Sequence, residues 1–200
     1  MTKKRMALYV IGALLLIVAL GAAWMLGPAL LPAKAIDVGI AKGAKVPVAM
    51  ELRDSNGEPA TLADQMGREG AVVYFVRSAD WCPFCKAQVI RTEEIREKLS
   101  AKGYNIVAVS YDEPEILSRF KAEEGLGFAL LSDKGSKLID ALGVRDPQYE
   151  EGSFAWGVPR ASILVLSPDG TVRAKYVAAD YRSRPSNDDV LAMVDAAASE

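Results

Sequence analysis

Residues 73–86 read VYFVRSADWCPFCK, and this stretch contains both cysteines of the 200-residue chain, Cys82 and Cys85. An apolar run with β-branched and aromatic side chains, residues 71–76, precedes the pair, and a helical pattern follows it. A continuous apolar run of this length is typical of a strand that is buried on both faces. The stretch therefore predicts a strand that ends just before the two thiols and a helix that begins at them.

The spacing of the two cysteines suits redox chemistry at the start of a helix. If Cys82 is the N-cap residue, Pro83 occupies the first helical position, where its missing N–H costs nothing. The unpaired N–H groups and the positive end of the helix dipole then favour the thiolate of Cys82, which is the nucleophilic form. Cys85 lies one turn later, close enough to attack a mixed disulfide formed at Cys82. Pro83 and Phe84 stiffen and shield the turn.

Other uses of a cysteine pair fit the sequence less well. A structural zinc site needs four ligands, and this chain has no further cysteine and no histidine. Haem attachment needs a histidine after the second cysteine, but residue 86 is Lys. A purely structural disulfide would close a very short loop and stabilise little. It remains an alternative, as do two inert buried thiols; we expect no metal and no cofactor.

Trp81-Cys82-Pro83-Phe84-Cys85 resembles the active-site motif of the thioredoxin superfamily. The rest of the chain, over roughly residues 45–198, is similar to the peroxiredoxin-like branch of that superfamily, the AhpC/TSA or redoxin proteins. Five short motifs carry this similarity: Ser110-Tyr111-Asp112, Leu130-Leu131-Ser132-Asp133, Gly157-Val158-Pro159-Arg160, Ser167-Pro168-Asp169-Gly170 and Asp180-Tyr181-Arg182. The resemblance implies an α/β thioredoxin-like fold, with a mixed central sheet flanked by helices.

The resemblance also implies roles for residues far from the cysteines in sequence. Pro159 matches the cis-proline that faces the cysteine pair in thioredoxin-like folds and presents the backbone of Val158 to a substrate chain; without the resemblance, an ordinary trans proline at the start of a strand is the simpler interpretation. Arg160 stands where peroxiredoxin relatives carry an active-site arginine, which would lower the pKa of the Cys82 thiol and hydrogen-bond a peroxide oxygen. The alternative for Arg160 is a solvent-facing arginine at a strand end.

Further residues of the cysteine stretch complete the candidate site. Arg77 is a second candidate arginine, although it could simply close a strand edge. Trp81 is expected to pack beside the cysteine pair and shield it. The predicted catalytic residues are Cys82, Cys85, Pro159 and Arg160, and the predicted substrate-binding residues are Trp81, Pro83, Phe84 and Val158.

One position departs from the peroxiredoxin pattern. Peroxiredoxins place Thr or Ser three residues before the peroxidatic cysteine, whereas Ala79 stands there and Ser78 is one residue too early. The two-residue spacing of the cysteines is also typical of thioredoxins. We therefore expect a thiol–disulfide oxidoreductase that acts on a protein thiol or disulfide. The alternative is a thiol-dependent peroxidase, in which a hydroperoxide oxidises Cys82 to a sulfenic acid and Cys85 condenses with it.

Charge and composition argue against two further classes of function. The four basic residues among 1–35 leave the rest of the chain with 20 basic and 26 acidic side chains and no basic run. The sequence thus gives no indication of nucleic-acid binding. The chain also resembles membrane-anchored redoxins that deliver copper, and in such a protein the two soft cysteine sulfur atoms would bind the metal. Those relatives also need a histidine, which this chain lacks.

The first 35 residues differ in composition from the rest. Lys3, Lys4 and Arg5 precede an uncharged apolar run, residues 6–26, which as a helix would span about 31 Å, close to the hydrocarbon thickness of a bilayer. The basic cluster predicts a cytoplasmic N-terminus, a single-pass anchor and a catalytic domain on the periplasmic or extracellular side, where disulfides persist. The alternatives are a cleaved signal peptide, since Ala33-Lys34-Ala35 fits the cleavage pattern, and a buried core helix.

The chain thus divides into an anchor or signal segment, 1–35, a linker, 36–47, and a redoxin domain, 48–200.

Within the domain, Asp112 with Glu115 resembles a capping pair at the start of a helix. Residues 145–157 lack periodicity, which predicts a loop inserted beside the active site as a lid, with an ordinary surface excursion as the alternative. The remaining predicted elements are an opening hairpin from residues 48–52 and the turn 54–57, strands 106–109 and 128–131, a helix over 136–142, a hairpin of 161–166 with 171–177, and a last helix that begins at Ser186.

Overall fold

The computed structural model describes residues 12–17, 21 and 34–199. Most of the predicted membrane segment, residues 6–26, therefore lies outside the described residues, although 12–17 within it are helical. Within the described ranges, no helix is long and apolar enough to cross a membrane. The chain forms two units, Met1–Ala33 and Lys34–Glu200, and the second contains the cysteine pair.

A seven-stranded mixed sheet forms the centre of the second unit, in the order β2-β1-β5-β4-β3-β6-β7. Strands β3, β4 and β5 are parallel to one another, and the other neighbours are antiparallel. The predicted mixed sheet is therefore confirmed. The strands are β1 Leu52–Asp54, β2 Pro59–Ala60, β3 Gly70–Val76, β4 Tyr104–Ser110, β5 Ala129–Ser132, β6 Ser162–Leu166 and β7 Val172–Val177.

Five helices of the second unit accompany the sheet: α1 Pro83–Thr92, α2 Arg96–Ala101, α3 Pro114–Glu124, α4 Lys137–Ala141 and α5 Asn187–Ala198. The single helix expected after Cys82 is divided into α1 and α2 by a 3₁₀ turn, Glu93–Ile95. The helical spacing of Cys85, Val89, Thr92, Ile95 and Leu99 in the sequence predicts one inner face, and all five residues are buried despite the turn. The last helix begins at Ser186 as predicted, with a capping box formed by Ser186 and Asp189.

Strand β3 explains where the cysteines lie. All of its residues are buried, and it pairs with β4 on one side and β6 on the other. Val76 at its end is in register with Ser110 at the end of the parallel strand β4. Parallel strands end at the same edge of a sheet, so the residues that follow β3 and β4 meet there. The residues after β3 lead into Cys82, and those after β4 lie beside them.

Two N-terminal predictions differ from the structure. Residues 36–47, expected as a linker, hydrogen-bond to the strand β7 and its turn: the N–H of Ile36 donates to Val177, and that of Val46 donates to Gly170. The edge of β7 offers unpaired backbone groups, and this segment satisfies them. The opening hairpin is present, but β1 starts at Leu52, because the N–H of Met50 bonds back to Pro47 in a turn.

Candidate active site

The cysteine pair is closed as a disulfide between Cys82 and Cys85, whose Cα atoms are 5.3 Å apart. Cys82 is the N-cap of α1 and Pro83 follows it at the first turn, as the sequence predicts. The Cys82 carbonyl accepts hydrogen bonds from the N–H groups of Cys85 and Lys86, at 3.1 and 3.0 Å. The two cysteines are only 2% and 1% exposed, so the surrounding side chains control access to the sulfur atoms.

A buried carboxylate holds the loop that leads into the disulfide. Asp112 accepts hydrogen bonds from the Ser78 hydroxyl at 3.0 Å, the Ala79 N–H at 2.6 Å and the Ser110 hydroxyl at 2.8 Å. Ser78 Oγ in turn accepts from the N–H of Asp80 at 2.9 Å. Burial raises the pKa of Asp112, and these hydrogen bonds oppose that rise. The loop after β3 is therefore fixed by a side chain that follows β4.

The predicted capping role of Asp112 is wrong. The N-cap of α3 is Glu113, and its side chain makes no capping bond. Asp112 is turned toward the neighbouring loop because β3 and β4 are adjacent parallel strands that end together. The sequence signal that would have found this contact is a pair of polar residues, Ser78 and Asp112, each placed just after a buried parallel strand.

Arg77 lies inside the site and does not merely close a strand edge. Its side chain is buried, and Nη1 donates to Asp146 at 2.6 Å while Nη2 donates to the Tyr149 hydroxyl at 2.9 Å. Its guanidinium carbon lies 5.4 to 5.9 Å from the ring centroids of Tyr149, Trp81 and Tyr181. A positive charge within this range of aromatic rings is stabilised by their quadrupoles. Arg77 thereby joins the cysteine loop to the segment 145–157.

The segment 145–157 lies against the cysteine loop, as predicted. The Phe154 ring packs edge-on against Trp81 at 5.5 Å and against Tyr149 at 5.8 Å. A hydrogen bond also holds Trp81 on the side of the strand ends: its indole N–H donates to the hydroxyl of Tyr111, which follows β4, at 3.1 Å. Trp81 therefore packs between this segment and the strand ends. The side chain of Phe154 remains 77% exposed, so the cover over Trp81 is thin.

The expectation that Pro159 follows a cis peptide bond is wrong, since none of the peptide bonds in the described part of the chain is cis. The extended trans backbone lets residues 158–160 pair with 144–146. Asp146 N–H donates to the Val158 carbonyl at 2.9 Å, and Arg160 N–H donates to the Val144 carbonyl at 2.7 Å. Val158 is fully buried and its own N–H donates to Ala155. Its backbone is thus engaged within the protein and not presented to a substrate chain.

Arg160 is half-buried and lines a cavity of about 450 Å³ together with Arg77, Asp180 and Tyr181. The cavity is connected to the cysteine helix through Tyr181, whose ring packs against Phe84 at 5.7 Å. Phe84 and Tyr181 are 41% and 42% exposed, so they form a small aromatic surface beside the disulfide. The role of Arg160 toward Cys82 stays a prediction.

Sequence reasoning missed Arg184, which contacts the disulfide directly. Its Nη2 donates to Cys85 Sγ at 3.4 Å, and its Nη1 donates to the Ser183 carbonyl at 2.8 Å. Burial, together with the positive charge of Arg77, lowers the pKa of Arg184 to about 10. Arg184 lies in an irregular segment between β7 and α5, where no periodicity marks it as inward-facing. Within the described residues, no group of acidic, His or Cys side chains is arranged to hold a metal ion.

The AhpC/TSA family model matches residues 43–175 of this chain. Peroxiredoxin Bcp of Escherichia coli (strain K12) is 30% identical over 150 residues, which cover 75% of this chain and 93% of that protein. The thiol-disulfide oxidoreductase ResA of Halalkalibacterium halodurans is 32% identical over 110 residues, or 54% of this chain and 61% of that protein.

Solved structures agree on the fold. The peroxidoxin BcpB of Mycobacterium tuberculosis is similar with a TM-score of 0.66 and 21% identity, covering 78% of this chain and 97% of that one. Peroxiredoxin Q of Xanthomonas campestris gives a TM-score of 0.63 at 23% identity, over 82% of this chain and 98% of that one. These likenesses confirm the predicted thioredoxin-like architecture of the described domain.

Proposed function

Because this chain belongs to the AhpC/TSA family, we propose that it is a thiol-dependent peroxidase that reduces hydroperoxides through Cys82 and Cys85. The observation that carries the proposal is a cysteine pair at a helix N-cap, closed as a disulfide, on a chain that matches peroxiredoxin Bcp over most of both lengths. Family membership makes the protein a thiol-dependent redox enzyme. The peroxidase reading, which the sequence ranked second, has the better support.

The proposed cycle uses both sulfur atoms. The Cys82 thiolate attacks one oxygen of the hydroperoxide and the O–O bond breaks, which converts Cys82 to a sulfenic acid. The leaving alkoxide or hydroxide takes a proton from solvent and departs as an alcohol or water. The Cys85 thiolate then attacks the Cys82 sulfur, the disulfide forms and hydroxide leaves as water after protonation. An external dithiol returns the pair to the reduced state by two successive thiol–disulfide exchanges.

The surroundings of the pair suit this chemistry despite the missing hydroxyl at Ala79. Ser78 does not replace that hydroxyl, because its Oγ is bound to Asp112 and to the N–H of Asp80. The positive charge of Arg184 lies against Cys85 Sγ and favours a thiolate at the pair, whereas the charge of Arg77 is paired with Asp146. Trp81, with Phe154 against it, places apolar surface at the loop and lowers the local dielectric there, which strengthens such electrostatic effects.

A second candidate is the thiol–disulfide oxidoreductase that the sequence ranks first. The two-residue spacing at a helix N-cap and the similarity to a protein named as a thiol-disulfide oxidoreductase favour it. In that reading a partner protein docks on the aromatic surface of Phe84 and Tyr181 and exchanges thiols with Cys82. The two candidates share the pair and differ in whether the site activates peroxide.

We also propose that the segment 1–35 anchors the protein in a membrane, with the catalytic domain on the extracytoplasmic side. The basis is the basic cluster at residues 3–5 followed by the apolar run 6–26. Mass analysis of the protein from its membrane fraction would support the anchor by finding residues 1–35 still attached. A mature chain that starts at Ile36 would contradict it.

Rapid mixing of the reduced protein with hydrogen peroxide tests the peroxidase proposal, with the fluorescence of Trp81 as the reporter. We expect oxidation far faster than that of a free thiolate, no reaction at residue 82 in Cys82→Ser, and a sulfenic acid that dimedone traps at Cys82 in Cys85→Ser. A Trp156→Phe background removes the other tryptophan on the described domain from the signal. Oxidation no faster than that of an exposed thiolate would leave the oxidoreductase candidate.

A further inference from the structure

Arg184 is placed at the disulfide without a compensating negative charge. Of its donor groups, Nη2 points to Cys85 Sγ and Nη1 points to the Ser183 carbonyl, while the buried Nε has no partner. None of the ion pairs formed among the described residues includes Arg184. Asp180 affects it electrostatically but forms no such pair with it.

This arrangement is unfavourable as long as the cysteines are oxidised. Arg184 is half-buried, and a charge partly removed from water is stabilised by a counter-ion or by hydrogen bonds, whereas a neutral disulfide sulfur is only a weak acceptor. The charged and titratable groups that face Arg184 are Arg77 from the end of β3, Tyr176 from β7 and Asp180 from the following loop. Arg77 adds repulsion and is itself already paired with Asp146. The guanidinium therefore lacks a strong partner in the oxidised state.

We propose that Arg184 is the electrostatic partner of a Cys85 thiolate, which reduction of the disulfide creates beside it. In the reductive step, the thiolate of an external dithiol attacks Cys82 Sγ and forms a mixed disulfide. The Cys82–Cys85 bond breaks, and its electron pair remains on Cys85 Sγ, next to Arg184. A charge-assisted hydrogen bond then replaces the weak contact to a neutral sulfur. Because Arg184 contacts Cys85 and not Cys82, it makes Cys85 the better leaving group.

The same contact acts in the oxidative half of the cycle. The Cys85 thiolate must attack the sulfenic acid at Cys82, and its availability at neutral pH depends on how well its charge is stabilised. Arg184 thus favours the reduced state and prepares Cys85 for resolution. The inference rests on the proposed redox cycle, but its equilibrium consequence does not depend on peroxide as the oxidant.

The test compares Arg184→Met with the wild type, full chain, by equilibration with reduced and oxidised dithiothreitol. The reduced fraction is read from the mass shift after thiol alkylation. We expect the equilibrium constant for reduction to fall about tenfold in Arg184→Met, which corresponds to a potential about 30 mV lower. Arg184→Lys keeps the positive charge and should retain most of the wild-type equilibrium constant for reduction. Arg182→Met is the matched control, since Arg182 is exposed and its contacts are with Tyr181 and Asp180.

A second measurement separates an electrostatic effect from a structural one. In a Cys82→Ser background, the pH dependence of Cys85 alkylation should move upward by about one pH unit when Arg184 becomes Met, because the thiolate loses its partner. If Arg184→Met does not fold, Arg184→Gln gives the same comparison while retaining a donor for the Ser183 carbonyl. An unchanged equilibrium constant and an unchanged alkylation profile would overturn the inference. If the equilibrium constant and the alkylation profile both shift but the reduced protein does not react rapidly with hydrogen peroxide, only the peroxidase proposal is overturned.

Discussion

The ion pair between Arg77 and Asp146 is expected to attach the segment 145–157 to the cysteine loop. The two side chains are 4% and 7% exposed, and their atoms are 2.6 Å apart. Replacing Arg77 with Met removes the bonds to Asp146 and to the Tyr149 hydroxyl and leaves the carboxylate of Asp146 buried without its cation. Breaking a buried pair in this way destabilises a protein by about 3–5 kcal/mol.

We therefore expect Arg77→Met to lower the free energy of unfolding by about 4 kcal/mol. For a domain of this size, that loss corresponds to a fall in Tm of about 8–16 °C. Urea unfolding of the oxidised protein, followed by tryptophan fluorescence and far-UV circular dichroism, measures the loss. Arg68→Met is the matched control, because Arg68 pairs with Glu69 on the surface with 76% of its side chain exposed. That control should change stability by less than about 0.5 kcal/mol.

A double-mutant cycle shows whether the effect comes from the pair. Asp146→Asn keeps an oxygen for the Gln148 N–H, which donates to Asp146 at 3.1 Å, and removes the charge. Once Asp146 is neutral, losing Arg77 no longer leaves a buried charge alone. The double variant should therefore be more stable than the sum of the single effects predicts, by about 2 kcal/mol. A loss below about 1 kcal/mol for Arg77→Met, or strict additivity, would refute the reasoning.

Two further predictions concern the strand ends. Burial raises the pKa of Asp112 in the folded protein above its ordinary value of 3.8, so the folded chain retains a proton that the unfolded chain releases. The stability of the wild type should thus fall relative to Asp112→Asn as the pH rises from about 4; unfolding curves that keep a constant difference up to about pH 7 would contradict this. Gly70→Ala should destabilise by more than about 2 kcal/mol, because φ is +127° and the new Cβ would lie 1.8 Å from the Leu166 carbonyl oxygen. Gly57→Ala, with open space around it, should cost only about 1 kcal/mol; thermal unfolding of both variants measures the two losses.

Local sequence patterns were sufficient to predict the strand and the helix that carry the cysteines. The apolar run before the pair became β3, and Cys82 is the N-cap of α1 with Pro83 next, because strand burial and helix capping depend on neighbours in sequence. The same holds for the capping box at Ser186. The choice between peroxidase and oxidoreductase was less secure, since Ala79 and the cysteine spacing point one way while the similarity of the whole domain points the other.

The sequence-based predictions for Asp112 and Pro159 were wrong because each residue, or its neighbours, can form contacts both locally and with a distant segment. Asp112 fits a helix cap by its sequence neighbours, but the parallel pairing of β3 with β4 brings it to Ser78 and Ala79. Pro159 fits a cis-proline by its motif, but pairing of its neighbours with residues 144–146 favours an extended trans backbone. In both cases, contacts across the fold outweighed the local pattern.

The amino-acid sequence was enough to predict the strand, the helix and the N-cap position of Cys82, because each depends on short-range spacing. The family was recognisable from short motifs spread over the whole domain. The side chains that surround the cysteine pair are brought there only by the tertiary fold. Arg77 reaches Asp146 across 69 positions, and Arg184 reaches Cys85 across 99. No periodicity links residues so far apart, since their contact follows from the order of strands in the sheet and the path of the loops. The charges that act on the two sulfur atoms were therefore set by the tertiary structure.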